Sequence, residues 1–236
     1  MNEGLTPVAR IHTDFSEKFG IPRQSGLVSG LRGEIHFEEE FRHPDAIRGI
    51  EEYSYLWLLW GFSAIKKKGV SLTVAPPRLG GKERRGVFAN RSPFRPNGIG
   101  LSSVKLEEIC HREGYGPILI VSGADLLDGT PIYDIKPYLP YTDCHPEAKG
   151  GFGQNYSHDK IIVVFPPKLR AILPQKLQQT VFELLSQDPR AAYNKKPDYL
   201  YGMSFAGYDI RFSVAENILT VKEVVKIQCP SWKKIK

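Results

Sequence analysis

Three cysteines (Cys110, Cys144 and Cys229) are too few, and odd in number, for a disulfide framework, so the expected compartment is a reducing cytoplasm. No apolar run approaches the roughly 18 residues a membrane-spanning helix needs; the longest greasy stretch is Tyr55 to Phe62. The start, Met1-Asn2-Glu3-Gly4, lacks the basic-then-apolar pattern of a secretory leader. No Gly-x-Gly-x-x-Gly follows a strand and opens a helix: Gly98-Ile99-Gly100 runs on into a strand-like segment. Walker loops and Gly-x-Ser-x-Gly elbows are missing as well. A Rossmann-type cofactor site is therefore excluded. The dipeptides Cys110-His111 and Cys144-His145 bring metal-type ligands together, but neighbours on a strand point to opposite faces, and no metal is expected.

What the chain does contain is turn and strand material. Its 236 residues include 22 Gly, 18 Pro, 11 Tyr and 12 Phe, within an ordinary globular balance of 41% hydrophobic and 25% charged residues. Strands are expected at Val8–Ile11, Gly33–Phe37, Tyr53–Phe62, Val70–Val74, Leu101–Ile109 and Pro117–Val121, with one short helix from Pro44 to about Gly49. A polar, glycine-rich stretch over 146–160 reads as a linker or long loop. Beyond it, a strand at Ile161–Phe165 precedes helical spacing over Leu169–Leu185, which Pro174 should kink or restart. Strands at Tyr199–Phe205, Tyr208–Val214 and Ile218–Val225 follow, joined by turns at Ala206-Gly207 and Glu216-Asn217. The expected fold is mainly β: a small β-barrel N-terminal domain over 5–145, then a small α+β C-terminal domain over 161–228, with a frayed tail from Cys229.

The net charge of +6 and pI of 9.1 favour an anionic partner such as nucleic acid. Basic clusters at Lys66 to Lys68, at Lys82, Arg84 and Arg85, and at Lys195-Lys196 fall in loop-like stretches. Four polar islands combine proline, glycine and charge. Pro22-Arg23-Gln24 offers a guanidinium fork and an amide; Pro76-Pro77-Arg78-Leu79-Gly80-Gly81 forms the second. The third runs from Phe88 to Leu101. It holds Arg91 and Arg95 four apart, each close to a proline that lowers the entropy of the loop, as suits donors for a carboxylate or phosphate. The fourth places Asp125 and Asp128 three apart, then Gly129-Thr130-Pro131 and Asp134-Ile135-Lys136-Pro137. Asp128-Gly129 also fits a plain hairpin turn.

These islands, in this order, resemble the TrmO family, whose TsaA-like domain methylates adenosine in tRNA. The matching pieces are Pro22-Arg23-Gln24 with Gly26-Leu27, Pro76 to Gly81, Gly86 to Ala89 with Arg91-Ser92 and Arg95-Pro96-Asn97, and Asp128 to Pro131 with Asp134 to Tyr138. In the second unit they are Gln187-Asp188-Pro189-Arg190 with Tyr193, and Tyr201-Gly202-Met203. The chain differs where the family often has a polar pair after the Trp-rich strand, here Ser63-Ala64, and where a second proline is common, here Asp188-Pro189-Arg190-Ala191.

The resemblance implies a β-barrel that binds S-adenosyl-L-methionine as a homodimer, near the subunit interface. It implies methylation of N6 in N6-threonylcarbamoyladenosine, beside the tRNA anticodon at position 37. It also implies cofactor contacts at Pro22, Arg23, Gln24, Arg91, Leu101 and the run Asp125, Leu126, Leu127, Asp128, Gly129 and Thr130, with tRNA held partly by the C-terminal unit. Asp125 and Asp128 are both open as the group that takes the N6 proton or as ligands of ribose or ammonium. Arg95 is expected at the threonyl carboxylate, with Asn97 and Lys136 as further substrate contacts. The competing expectations are a noncatalytic RNA-binding β-barrel module and a nucleotide-ligand sensor.

Overall fold

A computed structural model of the chain describes residues 4–62, 71–76, 83–156, 160–190 and 199–227. Alternation builds its first sheet. In β1 (Ala9–Thr13) the residues Ala9, Ile11 and Thr13 are buried while Arg10 and His12 face outward. The same two-residue period recurs in β2 (Arg32–Phe37), β3 (Tyr55–Gly61) and the first half of β6 (Ile99–Arg112). With β7 (Gly116–Ser122) and β8 (Thr130–Pro137) these strands close into a six-stranded antiparallel barrel of order β1-β2-β7-β6-β3-β8. Closure removes every free edge. Inside are Ile11, Ile35, Leu56, Leu58, Val104, Leu119 and Ile132, all essentially without solvent exposure. Two short strands, β4 (Thr73–Val74) and β5 (Arg85–Gly86), pair beside the barrel.

The second sheet has order β10-β11-β12-β9, from β9 (Ile162–Val164), β10 (Tyr201–Phe205), β11 (Tyr208–Ala215) and β12 (Ile218–Lys226). Only the β12–β9 pair is parallel. The two tight turns stand where expected, with Ala206 and Gly207 both at positive φ.

Two expectations are corrected, the Pro44 helix and the Asp128-Gly129 hairpin, while the restart at Pro174 is observed. The Pro44 helix is a single 3-10 turn, Pro44–Ile47, one of three such turns between β2 and β3. The Leu169–Leu185 segment is two helices, α2 (Pro167–Arg170) and α3 (Gln175–Ser186), preceded by the short α1 (Pro140–Asp143). Pro174 has extended backbone and caps α3, since its ring cannot continue the preceding turn. Asp128-Gly129 is no hairpin: β7 and β8 are not neighbours, so the loop between them crosses the end of the barrel. The stretch over 146–160 includes a 3-10 segment, Gly151–Tyr156. The tail from Cys229, Lys66 to Lys68, Lys82, Lys195-Lys196, Tyr193 and Ser63-Ala64 lie outside the described residues. Among the described residues no helix is long and apolar enough to cross a membrane.

The β1–β2 connection is the element that matters most for the site. The two strands are neighbours, yet residues 14–31 leave the barrel between them. Phe15, Val28 and Leu31 are buried with Val181, Leu184, Met203 and Phe205, in the core of the second sheet rather than of the barrel.

Candidate functional site

Three segments meet at one end of the barrel. The excursion after β1 contributes Lys18, Ile21 and Pro22; the end of β3 contributes Trp60, Gly61 and Phe62; the β7–β8 loop contributes Asp125, Leu126 and Leu127, with Thr130 at the start of β8. Together with Pro93 they line a half-open cleft of about 220 Å³. Its walls are largely apolar and its one described carboxylate is Asp125. Small-molecule sites usually measure about 300–1,000 Å³, so a cofactor-sized ligand would fill this cleft and extend out of its open side.

Asp125 is held by a short chain of donors. The Trp60 Nε1–H donates to Ser102 Oγ at 3.0 Å, and the Ser102 hydroxyl donates to Asp125 Oδ1 at 2.6 Å. Ser102 is itself buried. The Trp60 ring reaches it by lying against Gly100, where a Cβ would come within 2.4 Å of the indole. Burial pushes the Asp125 carboxyl above its ordinary value; the serine hydrogen bond, its own backbone N–H and the more distant Arg91 charge only partly offset this. No described cation forms an ion pair with it.

Asp128, three residues on, is spent differently. Its Oδ1 accepts from the Thr13 N–H at 3.1 Å and lies 3.0 Å from His12 Nδ1. Its own N–H donates to Phe15 O, and the Gly129 N–H donates to Ile11 O, both at 2.9 Å. Gly129 has φ +74°, which a side chain would strain. Thr130 closes the loop by donating its hydroxyl to Leu127 O at 2.7 Å. Leu126 is buried in the barrel core as well as touching the cleft.

Of the other expected residues, Gln24 and Arg91 are brought together: Arg91 Nη1 donates to Gln24 Oε1 and joins the first island to the third. Pro22 is buried at the cleft wall. Arg23 turns away, its Nη2 donating to Arg190 O at 3.0 Å and Asp188 O at 3.4 Å. Leu101 stands on the outer face of β6, paired with Leu59 and 53% exposed. Arg95 donates from Nη1 to Asn90 O within its own loop. Asn97 is exposed in the turn before β6, next to Gly98, whose carbonyl accepts from the Phe62 N–H at 3.0 Å. Lys136 pairs with Asp134 at 2.9 Å and lies six residues along β8 from Thr130, about 20 Å at the rise of a strand. Pro77 to Gly81 lie outside the described residues.

The sequence reading missed Lys18, Ile21, Trp60, Phe62 and Pro93. Trp60 and Phe62 pack edge-on at 4.4 Å. They end a strand that reads as uniformly buried, so only its last residues reaching the barrel end marks them. Ile21 had a signal in its place directly before Pro22. The Asp188-Pro189-Arg190 turn, in the unit expected to help hold tRNA, has its arginine folded inward. Arg190 is 5% exposed and donates to both carboxylate oxygens of Asp188, at 2.8 and 2.9 Å. Among the described residues no three His, Cys, Asp or Glu side chains are grouped to hold a metal ion.

Comparison with known proteins supplies the remaining observations. The profile of the tRNA-methyltransferase O N-terminal domain matches residues 10–144, and that of the TrmO C-terminal domain matches 159–227. The chain is 40% identical over 215 residues to the tRNA (adenine(37)-N6)-methyltransferase of Escherichia coli strain K12, covering 87% of this chain and 91% of that one. It is also 40% identical over 221 residues to a putative S-adenosylmethionine-dependent methyltransferase, RcsF, of Pseudomonas aeruginosa, covering 90% and 93%. A crystal structure of TrmO from Pseudomonas aeruginosa superposes with a TM-score of 0.74 at 32% identity, over 95% of this chain and all of that one.

Proposed function

The chain belongs to the tRNA-methyltransferase O family, and on that premise we propose that it is an S-adenosylmethionine-dependent methyltransferase acting on N6 of a tRNA adenine. The finer reading is that the substrate is the threonylcarbamoylated adenine at position 37 and that the enzyme works in the cytoplasm as a homodimer. The observation that carries the catalytic reading is the half-buried Asp125 at a largely apolar cleft, held by Ser102 and carrying no ion-pair partner among the described residues.

The donor set fits the cofactor. Trp60, Phe62, Ile21 and Leu127 offer apolar surface for a planar base. The Gln24–Arg91 pair offers donors for a carboxylate. Pro22, Gln24, Arg91, Leu126, Leu127 and Thr130 are the residues proposed to hold it, with Asp125 beside it facing the substrate. Leu101 faces away from the cleft of its own chain, so its proposed contact is with cofactor bound to a second copy. The bound cofactor supplies an electrophilic methyl on a sulfonium.

The N6 nitrogen of the proposed substrate is attached to a carbonyl, which delocalises its lone pair. Proton removal is therefore the assistance it needs. Asp125 takes that proton: a carboxylate whose burial raises its proton affinity is a stronger base than one in water. Ser102, itself held by Trp60, fixes the carboxylate through Oδ1, and the largely apolar walls offer few polar groups to compete for the other oxygen. Asp128, engaged by Thr13 and His12, shapes the loop. Arg95 and Asn97 are proposed at the threonyl carboxylate.

Mass spectrometry of anticodon-loop nucleosides, after incubation with S-adenosylmethionine and tRNA with or without the threonylcarbamoyl group, tests the reading. A methyl is expected only on the threonylcarbamoylated adenine. Methylation of both tRNAs would remove the finer substrate. Tight tRNA binding with no methyl on either would leave the RNA-binding module in its place.

A further inference from the structure

We infer that the C-terminal unit is a working part of the cofactor site, and that Arg23 is the positioning residue through which it acts. This rests on the function proposed above.

The excursion over residues 14–31 carries Pro22 to the cleft wall and Gln24 to Arg91, and Ser25 and Gly26 meet the barrel at Ser103 N–H and Gly123 O, yet its apolar anchors are in the other sheet. Phe15 packs on Phe205 with ring centroids 5.1 Å apart. The Ala206 N–H donates to Asp14 O, and the Ser204 N–H to Glu17 Oε1, both at 3.1 Å. At Gly30 a Cβ would come within 2.3 Å of Thr180 Oγ1 on α3, so the chain can pass α3 this closely only as glycine. Between the two cleft residues, Arg23 points the opposite way and spans the carbonyls of Asp188 and Arg190.

Those carbonyls are fixed by the turn they belong to. Asp188 sits at φ +47°, and its carboxylate grips the buried Arg190 guanidinium through two hydrogen bonds. The seam lined by Pro22, Arg23, Leu184 and Asp188 leaves about 30 Å³, room for little more than a water or two. With so little slack, movement of the turn is transmitted to Arg23 and to its neighbours Pro22 and Gln24. The turn is thereby a brace for the cofactor loop, and contact of tRNA with this unit feeds into cofactor affinity.

The test is a double-mutant cycle read by calorimetry with S-adenosylmethionine and by steady-state kinetics. Arg23→Ala should weaken cofactor binding about tenfold, raising KM more than it lowers kcat, with Arg23→Lys restoring part of the loss. Asp188→Asn keeps a residue that tolerates positive φ but loosens the grip on Arg190. It should weaken binding about threefold, and the double variant should be no worse than Arg23→Ala alone. An unchanged affinity in Asp188→Asn, or effects that multiply, would overturn the inference and make Arg23 a direct cofactor contact. Hydrogen exchange at the Gly26 N–H, which donates to Gly123 O at 2.9 Å just beyond Arg23 and Gln24, gives a second readout that needs no cofactor. Exchange should quicken in Asp188→Asn, and unaltered protection overturns the brace. If the unaltered protein gives no heat with the cofactor, the proposed function falls, while the exchange result still decides the brace.

Discussion

On the outer face of β1 and β2, Glu34 accepts from Arg112 Nη1 and Nη2 at 2.7 and 2.9 Å and from His36 Nε2–H at 3.0 Å. His36 packs edge-on against His12, and His12 meets Asp128, so four titratable groups and an arginine satisfy one another. At the cleft, Asp125 has a serine and a tryptophan behind it and open space in front. Burial opposes the charge in both places. At Glu34 the hydrogen bonds of Arg112 and His36 more than offset it and the carboxyl ends below its ordinary value; at Asp125 burial wins and the carboxyl ends above. Fully paired carboxylates hold the barrel together. The one without a cation is left able to take a proton.

The largest effect that could break this contrast is at Asp125. Asp125→Asn should cut turnover about 100- to 10,000-fold while leaving the thermal midpoint near or above that of the parent, because it removes a charge disfavoured by burial. Methyl incorporation that survives the change would place the proton acceptor elsewhere. Glu34→Ala should do the reverse, lowering stability by about 1–3 kcal/mol in denaturant titration with turnover per folded molecule preserved. A fall in turnover without a fall in stability would erase the distinction between the two regions.

Acidification sharpens the contrast, because the groups respond with opposite signs. Burial holds His36 below its ordinary value, so the unfolded chain takes that proton first and stability drops as pH falls from about 6.5 toward the folded value. Glu34 adds a loss lower down, as pH falls from about 4.3 through its depressed folded value. Asp125 works the other way: its neutral form is favoured in the fold, a contribution complete below about pH 3.9 and lost as pH rises through the raised folded value. Melting curves should therefore decline from neutral pH in a way that His36→Gln flattens. Turnover should fall through a separate step that His36→Gln leaves in position. The smallest expected effect is at Asp128. Asp128→Asn keeps an acceptor for the Thr13 N–H and should cost under about 1 kcal/mol. A collapse of cofactor binding in that variant would move Asp128 to the cleft side of the comparison.

In the sequence, Asp125 and Asp128 are equivalent: two carboxylates near a glycine, either fit to act on a substrate. Their difference comes from β1, more than a hundred residues away, whose backbone claims one and not the other. Five barrel strands were legible because strand composition is local, whereas β8 was hidden in the fourth polar island, which read as a turn; the break at Pro174 was legible because proline's effect is local. The pairing of Gln24 with Arg91, 67 residues apart, was legible only as two islands of similar chemistry. Arg23 was legible as a donor but not as to its acceptors, since backbone carbonyls leave no residue-specific mark. Phe15, Val28 and Leu31 read as the interior of whatever lies nearest; that they join the second core depends on contacts no short window contains.

That assignment of residues 14–31 has a consequence for assembly. Arg23 and the carbonyl of Asp188 are 165 positions apart, and the hydrophobic partners of Phe15 emerge from the ribosome after all six barrel strands. A barrel that lacks the second sheet therefore carries an unfinished corner: Phe15 is left wet, and the loop keeps only its ties to the barrel, among them Gly26 N–H on Gly123 O and Ser103 N–H on Ser25 Oγ. The loop of the proposed cofactor site therefore takes its final form only once the second sheet has been made.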